Sequence, residues 1–520
     1  MVAPIDITTT DGVVRGRRGR RVSRWRAIPY AAPPVGELRF RAPQPVRPWS
    51  GVHDATEFRA AAIQPRFGTR IGPRQIQQMS EDALTLNIVA PASPSSPPRP
   101  VMVFIHGGGY IFGTSALTLY SGSRLALRGD VIVVSLNYRL GAFGYVDFGE
   151  FGTEAHPFDS NLGLRDQIAA LQWVQRNIAA FGGDPDNVTV FGESAGAHAV
   201  LSLLATPASA GLFHRAIAQS APADWGVTRE EARMFARLCV SFLSSPDNAH
   251  KALVDSDSHA IRRAYQRALR KMAQDYPGFF PTAPVVDGEL LPQLPFDAIL
   301  DGNAHRVPLI IGTCRNEGAL FARFADALPT DPRRLRAILA ASGEEATRRV
   351  LQAYPGFPRA DVAVQLGGDY TFWRPSVEVM AGHNRHAPTY AYRYDFAPRS
   401  LKLAGLGATH ATDLIPVFGG GDTSWGRALT AAGGRRGMRS VTDQFQENWL
   451  QFARTGAPLS SWPAYTVDRR STLIIDHPGR VDDDPHRARR LAWEGIRRTS
   501  PVHPAHVERD DPDSDATEAV

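Results

Sequence analysis

The sequence predicts an α/β protein built on a large, mostly parallel β-sheet flanked by helices, with helical cap or side insertions. Three observations carry this. Continuous apolar runs at 101–106 (VMVFIH), 131–138 (VIVVSLNY), 188–192 (VTVFG) and 309–313 (LIIGT) read as strands buried on both faces, as parallel strands are. Helical periodicity separates them, clearest over 162–182, where apolar residues recur every three or four positions. The third run leads directly into Gly192-Glu193-Ser194-Ala195-Gly196 and a new helical pattern.

The remaining elements follow in chain order. Residues 4–16 (PIDITTTDGVVRG) read as two short strands about a turn at Asp11-Gly12. The basic run from Arg15 to Arg21 is an exposed hairpin, with Trp25 and Ile28 starting the folded interior. Six prolines between Pro29 and Pro48 forbid a long helix and predict an extended, packed arm. Residues 64–79 are polar without a period and read as a surface loop. The Pro/Ser-rich stretch 91–100 (PASPSSPPRP) has strand-like runs directly on both sides, so a hairpin loop is expected rather than an interdomain linker. Residues 226–275 are mostly helical and charged, as a cap or side insertion over the sheet would be. YAYRYDF (390–396) reads as a later strand and FQENWLQFART (445–455) as a late amphipathic helix. Residues 1–499 are expected to form one domain. The acidic, Pro-containing tail 500–520 is expected to be disordered.

Composition removes several functions. The chain has 520 residues, 58 basic against 52 acidic, and is 43% apolar. A large chain buries enough apolar surface to need no disulfide staples. All but three of the basic residues are arginine, yet an excess of six over 520 residues is no nucleic-acid footprint. Two cysteines, Cys239 and Cys314, form no framework. No Cys/His cluster has zinc-like spacing, so no metal is expected. No run of about 18 apolar residues exists to span a membrane. The first thirty residues are Arg-rich and lack the apolar stretch of a secretory signal, so a cytoplasmic enzyme is expected.

Chemistry is concentrated in two glycine-rich turns. Gly192–Gly196 reads G-x-S-x-G between a strand and a helix, the context that exposes a nucleophilic serine on a tight turn. The helix N-terminus behind it adds partial positive charge where an oxyanion would form. His106-Gly107-Gly108-Gly109-Tyr110 ends another strand, and its glycines leave backbone N–H groups unobstructed. Gly108, Gly109 and Ala195 are the expected oxyanion donors. A phosphate-binding loop would need a lysine that this turn lacks. His106 precedes the glycines and is read as a structural hydrogen-bonding residue rather than the base.

These motifs resemble the type-B carboxylesterase and cholinesterase family of α/β-hydrolases, in particular the bacterial para-nitrobenzyl esterase-like members. The resemblance rests on GESAGA (192–197) and IPYAAPPVGELRFRAPQPVRPW (28–49). FIHGGGYIFG (104–113), NYRLGAFGY (137–145), GTCRNEGALF (312–321) and GATHATDLIPVFG (407–419) continue it, and it covers residues 4–497. It implies that Glu317 is the acid and His410 the base of a triad with Ser194. It implies supporting roles for Glu193, for Ser220 in AQSA and for Asp413, where many members have glutamate. Asn316 replaces an aspartate common in the family. Ion pairs Arg39–Glu81 and Arg139–Asp166 are implied as architecture. Ala83 stands where secreted members have a cysteine, so the first family disulfide is missing, which agrees with a reducing compartment. No tryptophan occurs in 59–82 to hold a quaternary ammonium, which argues against choline esters.

The implied activity is hydrolysis of carboxylic esters through an acyl-enzyme, with no cofactor. Tyr110, Phe280 and Phe321 are the candidate pocket residues. An apolar pocket would favour uncharged short- or medium-chain or aryl esters, and the expected state is a monomer or a homodimer. A catalytically silent binding protein of this fold would have lost a triad member, and here all three stand. A lipase would need an exposed apolar lid, for which 226–275 is too charged. Carbamate hydrolysis remains an alternative chemistry for the same site.

Overall fold

The computed structural model describes residues 3–72, 75–276, 278–324 and 328–496. The acidic tail lies outside the described residues. Strands appear in chain order as β1 (Ala3–Thr8), β2 (Val13–Arg18), β3 (Val22–Pro29), β4 (Val52–Asp54), β5 (Arg70–Gly72), β6 (Gln75–Ile76), β7 (Thr85–Pro91) and β8 (Arg99–Ile105). Then come β9 (Ile132–Leu136), β10 (Gly183–Glu193), β11 (Arg215–Gln219), β12 (Leu309–Cys314), β13 (Thr389–Tyr394), β14 (Ser471–Ile475) and β15 (Arg480–Asp483). Thirteen of them make one sheet in the order β1-β2-β3-β7-β9-β8-β10-β11-β12-β13-β14-β15, with β4 beside β2. The run from β9 to β14 is parallel throughout, and antiparallel strands close both ends.

The side-chain alternation of the central strands sorts two cores. Val101, Val103 and Ile105 of β8 face one apolar cluster while Met102 and Phe104 face the other. On the first face pack α1 (Leu162–Asn177) and α2 (Ala195–Leu204); on the second lies α3 (Arg435–Thr455). α1 and α3 present the apolar stripe that their period predicts, whereas every residue of α2 is buried. The 226–275 insertion forms α4 (Arg229–Ser241), α5 (Ala249–Asp255) and α6 (Ser258–Asp275), which pack with Phe40, Phe143, Phe148 and Phe158 in a third cluster. Thr228 opens α4 with a capping box: its hydroxyl accepts from the Glu231 N–H while Glu231 accepts from the Thr228 N–H.

Two expectations are corrected. The stretch 91–100 is not a hairpin loop, because β9 lies between β7 and β8 and pairs with both. A fully buried strand such as β8 needs neighbours on both edges, and it takes β9 and β10 rather than the strand before it. The 64–79 segment is not merely a surface loop. It holds a 3₁₀ turn and the β5–β6 pair, and its Gln64 and Gln77 are buried, bonded to Gly113 and Thr114 beyond the glycine turn.

Both implied ion pairs form. Arg39 meets Glu81 at 2.6 Å, and Arg139 makes two bonds to Asp166 at 2.7 and 2.8 Å with both side chains buried. Cys239 and Cys314 are buried free thiols. No described helix is long and apolar enough to cross a membrane.

Candidate active site

Strand order reverses at β8, whose chain continues to β9 on one side before β10 forms on the other. Ligands of open α/β sheets bind in the crevice beyond the strand ends at such a reversal. Both glycine turns sit there, one after β8 and one after β10.

Ser194 occupies a strained backbone position, φ 59° and ψ −126°, between β10 and α2. Its N–H donates to Gln219 O, and its carbonyl accepts from His198 in the first helical turn. Gly196 allows the helix to close on the sheet, since a Cβ there would lie 2.1 Å from Ile105 O. Gly108 is required more strongly still. Its φ is +114°, and a Cβ would sit 1.9 Å from Phe112 O. The N–H groups of Gly108, Gly109 and Ala195 make no hydrogen bond among the described residues, so they remain available as donors.

The chain then brings together two side chains 93 residues apart. His410 Nδ1 lies 2.6 Å from Glu317 Oε2, while Glu317 Oε1 accepts from the Cys314 N–H at 2.6 Å. A carboxylate only accepts, so the proton sits on Nδ1 and Nε2 is left as the basic nitrogen. Nε2 points to the serine turn, where it lies 3.2 Å from Glu193 Oε1. Glu193 precedes Ser194, and Gly107 packs against both.

Electrostatics here are dominated by burial of several charges around one imidazole. Burial raises the Glu193 pKa above the ordinary carboxylate range. Burial alone would depress His410, but the carboxylates of Glu193 and Glu317 outweigh it and raise its pKa. Asp413 is also raised by burial; its Oδ2 accepts from Gln219 Nε2 at 2.8 Å and the Tyr392 hydroxyl at 3.0 Å. Ser220 is buried beneath this group with its Oγ 3.9 Å from Cys314 Sγ. His106 stacks on Tyr138, and burial holds its pKa down to about 4, so it stays neutral.

The aromatic candidates divide. Phe280 lines a cavity of about 210 Å³ with Ile111, Trp225 and Tyr370, and stacks on Trp225 at 4.1 Å. Its Cζ lies 3.4 Å from the Cβ position of Gly109, which joins the cavity to the glycine turn. Phe321 lies 5.0 Å from the His410 ring and is not part of that cavity wall. Tyr110 is a correction. Its positive φ turns the ring inward, where it is fully buried against Tyr145 and bonded to His198 Nδ1 at 2.8 Å. It belongs to the core and not to the pocket.

The sequence reading missed Trp225 and Phe372. Phe372 lies 4.5 Å from His410, on a π-helical turn (Asp369–Trp373) between two α-helices. Such turns frequently mark functional sites. The aromatic run YTFW (370–373) was the available signal, though periodicity alone reads it as core.

A serine on a strained strand-to-helix turn, at the reversal of a mostly parallel sheet, defines an α/β-hydrolase. Within that class the chain belongs to the carboxylesterase family, whose model matches residues 3–493, and it is a carboxylic ester hydrolase. It is 37% identical over 488 residues to the para-nitrobenzyl esterase of Bacillus subtilis (strain 168), covering 93% of this chain and 97% of the relative. Liver carboxylesterase 1 of Mus musculus is 34% identical, covering 84% of this chain and 82% of the relative. Among solved structures, a PNB esterase superposes with a TM-score of 0.84 at 36% identity, covering 95% of this chain and 99% of the other. A Geobacillus stearothermophilus carboxylesterase superposes with a TM-score of 0.81 at 33% identity, covering 94% of this chain and 100% of the other.

Proposed function

We propose that the chain hydrolyses esters through an acyl-enzyme formed on Ser194, with His410 as base and Glu317 as its acid partner. The observation that carries this reading is the 2.6 Å contact between Glu317 and His410 Nδ1, which leaves Nε2 facing the serine turn.

Ser194 Oγ attacks the ester carbonyl as His410 Nε2 takes its proton. Glu317 fixes the tautomer and stabilises the imidazolium. Glu193, 3.2 Å from Nε2, adds a second carboxyl group to the imidazole's surroundings. The N–H groups of Gly108, Gly109 and Ala195 bind the tetrahedral oxyanion. Removing one such donor typically costs about 3 kcal/mol of transition-state stabilisation. His410 then protonates the leaving alcohol, and water attacks the acyl-enzyme by the same route.

Trp225, Phe280 and Ile111 give the cavity apolar walls near the reacting centre, which suits aryl and short- to medium-chain acyl groups. We read residues 1–499 as the catalytic unit, working as a monomer or homodimer in the cytoplasm. The two free thiols support the reducing compartment.

The test is hydrolysis of p-nitrophenyl butyrate by the wild type beside Ser194→Ala, at neutral pH. The expected result is turnover in the wild type and a loss of roughly a millionfold in kcat in the variant. Turnover surviving in Ser194→Ala would place the chemistry on another residue.

A further inference from the structure

The walls of the Phe280 cavity are apolar, but its rim is not. Arg270 and Arg334 both line it. Arg270 ends a row on the cap helix α6, which carries five basic residues and a single acid, Asp275. Lys271 takes Asp275. Arg262 bonds to Gln266. Arg263, Arg267 and Arg270 lie on the exposed face at four- and three-residue spacing and make no side-chain hydrogen bond or ion pair among the described residues. The opposite face of α6 is buried through Ile261, Tyr265, Ala268 and Met272. Positive charge on this face of α6 therefore accumulates toward the cavity, with no carboxylate partner for these three arginines among the described residues. Arg262 registers it: its pKa is lowered first by burial and then by the guanidinium groups of Arg263 and Arg66.

The cavity's own carboxylate does not cancel this. Asp224 is the acid among the described lining residues, and it is ion-paired to Arg374. Arg374 is itself buried, with further bonds to the Ile496 carbonyl and Glu378. Asp224 and Arg374 neutralise one another inside the wall, whereas Arg270 faces solvent at the mouth.

We propose that this pocket prefers carboxylic esters carrying a second, negatively charged group remote from the scissile bond. Arg270 binds that group at the cavity mouth, and the row of Arg263 and Arg267 draws it in. The inference rests on the esterase reading above and refines its expectation of uncharged substrates. The apolar walls hold the part of the ester next to the reacting carbonyl. The rim reads a carboxylate at the far end. Charges of one sign lining an approach raise the local concentration of the opposite ion, and a charge-assisted contact to guanidinium retains it.

The test uses matched pairs that differ in one charge. The first pair is the mono-p-nitrophenyl ester of adipic acid against the same ester of its monoamide, which puts the charge on the acyl side. The second is para-butyryloxybenzoate against para-butyryloxybenzamide, which puts it on the alcohol side. The readout is the charged-to-neutral ratio of kcat/KM. The expected wild-type ratio exceeds one in at least one pair. It should fall roughly tenfold in Arg270→Glu. It should also fall toward one in about 0.5 M salt, where screening shortens the Debye length below 5 Å. Arg480→Glu makes the same net-charge change on a distant edge strand and should keep the wild-type ratio. A wild-type ratio at or below one in both pairs, with the neutral esters turned over, overturns the inference and leaves the esterase reading intact. So does a ratio unmoved by Arg270→Glu, or one that falls equally in Arg480→Glu. Failure to hydrolyse any of the four esters would instead remove the esterase reading, and this inference with it.

Discussion

Replacing Glu317 by glutamine tests the centre of the site most directly. The substitution keeps the side-chain shape and removes the charge. Glu317 now accepts two donors, the Cys314 N–H and His410 Nδ1–H, each at 2.6 Å. A glutamine has one acceptor oxygen, so its NH₂ must face one of these donors. If the NH₂ faces His410, the imidazole flips its tautomer, placing the proton on Nε2 and abolishing the base. If it faces Cys314, a buried donor meets a donor. The charge term is also large: a carboxylate 2.6 Å from an imidazolium gains about 6 kcal/mol at an effective dielectric constant near 20. That figure, an upper limit because the amide dipole recovers part of it, corresponds to between four and five decades in rate at about 1.4 kcal/mol per decade. Loss of the correct tautomer in a serine triad costs about ten-thousandfold in kcat, which agrees. The assay is kcat/KM with p-nitrophenyl butyrate, with circular dichroism to show that the variant folds. The expected loss is about a thousandfold to ten-thousandfold. A loss below tenfold would refute the assignment and move the acid to Glu193 or Asp413, the other two carboxyl groups around the imidazole.

Two further substitutions probe the surroundings. Glu193→Gln removes a carboxylate whose charge raises His410, so the base should lose its proton at lower pH. Because the imidazolium cannot act as base, the acid limb of the kcat/KM profile should then shift downward by about 1 to 3 units; an unmoved limb would contradict the coupling. Asp166→Asn leaves the Arg139 guanidinium buried without its carboxylate. Breaking such a pair costs about 3 to 5 kcal/mol, so a lower thermal midpoint is expected, and an unchanged one would show that Arg139 finds another partner.

The sheet's centre was legible because strands buried on both faces must be continuously apolar, and VMVFI, VIVVSL and VTVF are. The edges and connections were not. β11 (RAIAQ) is too short and too polar at its ends to stand out, and β14 and β15 carry no alternation that distinguishes them from loop. Pairing partners were misjudged at 91–100 because an apolar strand does not state which neighbour it takes. The serine turn could be read from spacing alone, since a G-x-S-x-G needs only its strand and helix. Glu317 and His410 could not. They lie 93 residues apart, each surrounded by ordinary loop residues, and only family resemblance singled them out among the acids and histidines. Tyr110 shows the opposite failure. It adjoins the glycine turn in sequence, but a positive φ points it away from the pocket and into the core.

Three carboxyl groups and one imidazole share a buried volume, and their inequality explains the arrangement. One imidazolium can neutralise one carboxylate, so the remaining two face burial without a full counter-charge. Burial accordingly raises both Glu193 and Asp413, which favours their protonated forms. Asp413 is steadied by neutral donors, Gln219 and Tyr392, that require no net charge. Among the described residues Glu193 Oε1 makes no hydrogen bond, and it lies 3.2 Å from His410 Nε2. Glu317 differs from both in touching Nδ1 and in taking a backbone N–H on its second oxygen. Position relative to the two ring nitrogens, rather than residue type, separates the two glutamates: Glu317 lies 2.6 Å from Nδ1 and Glu193 lies 3.2 Å from Nε2.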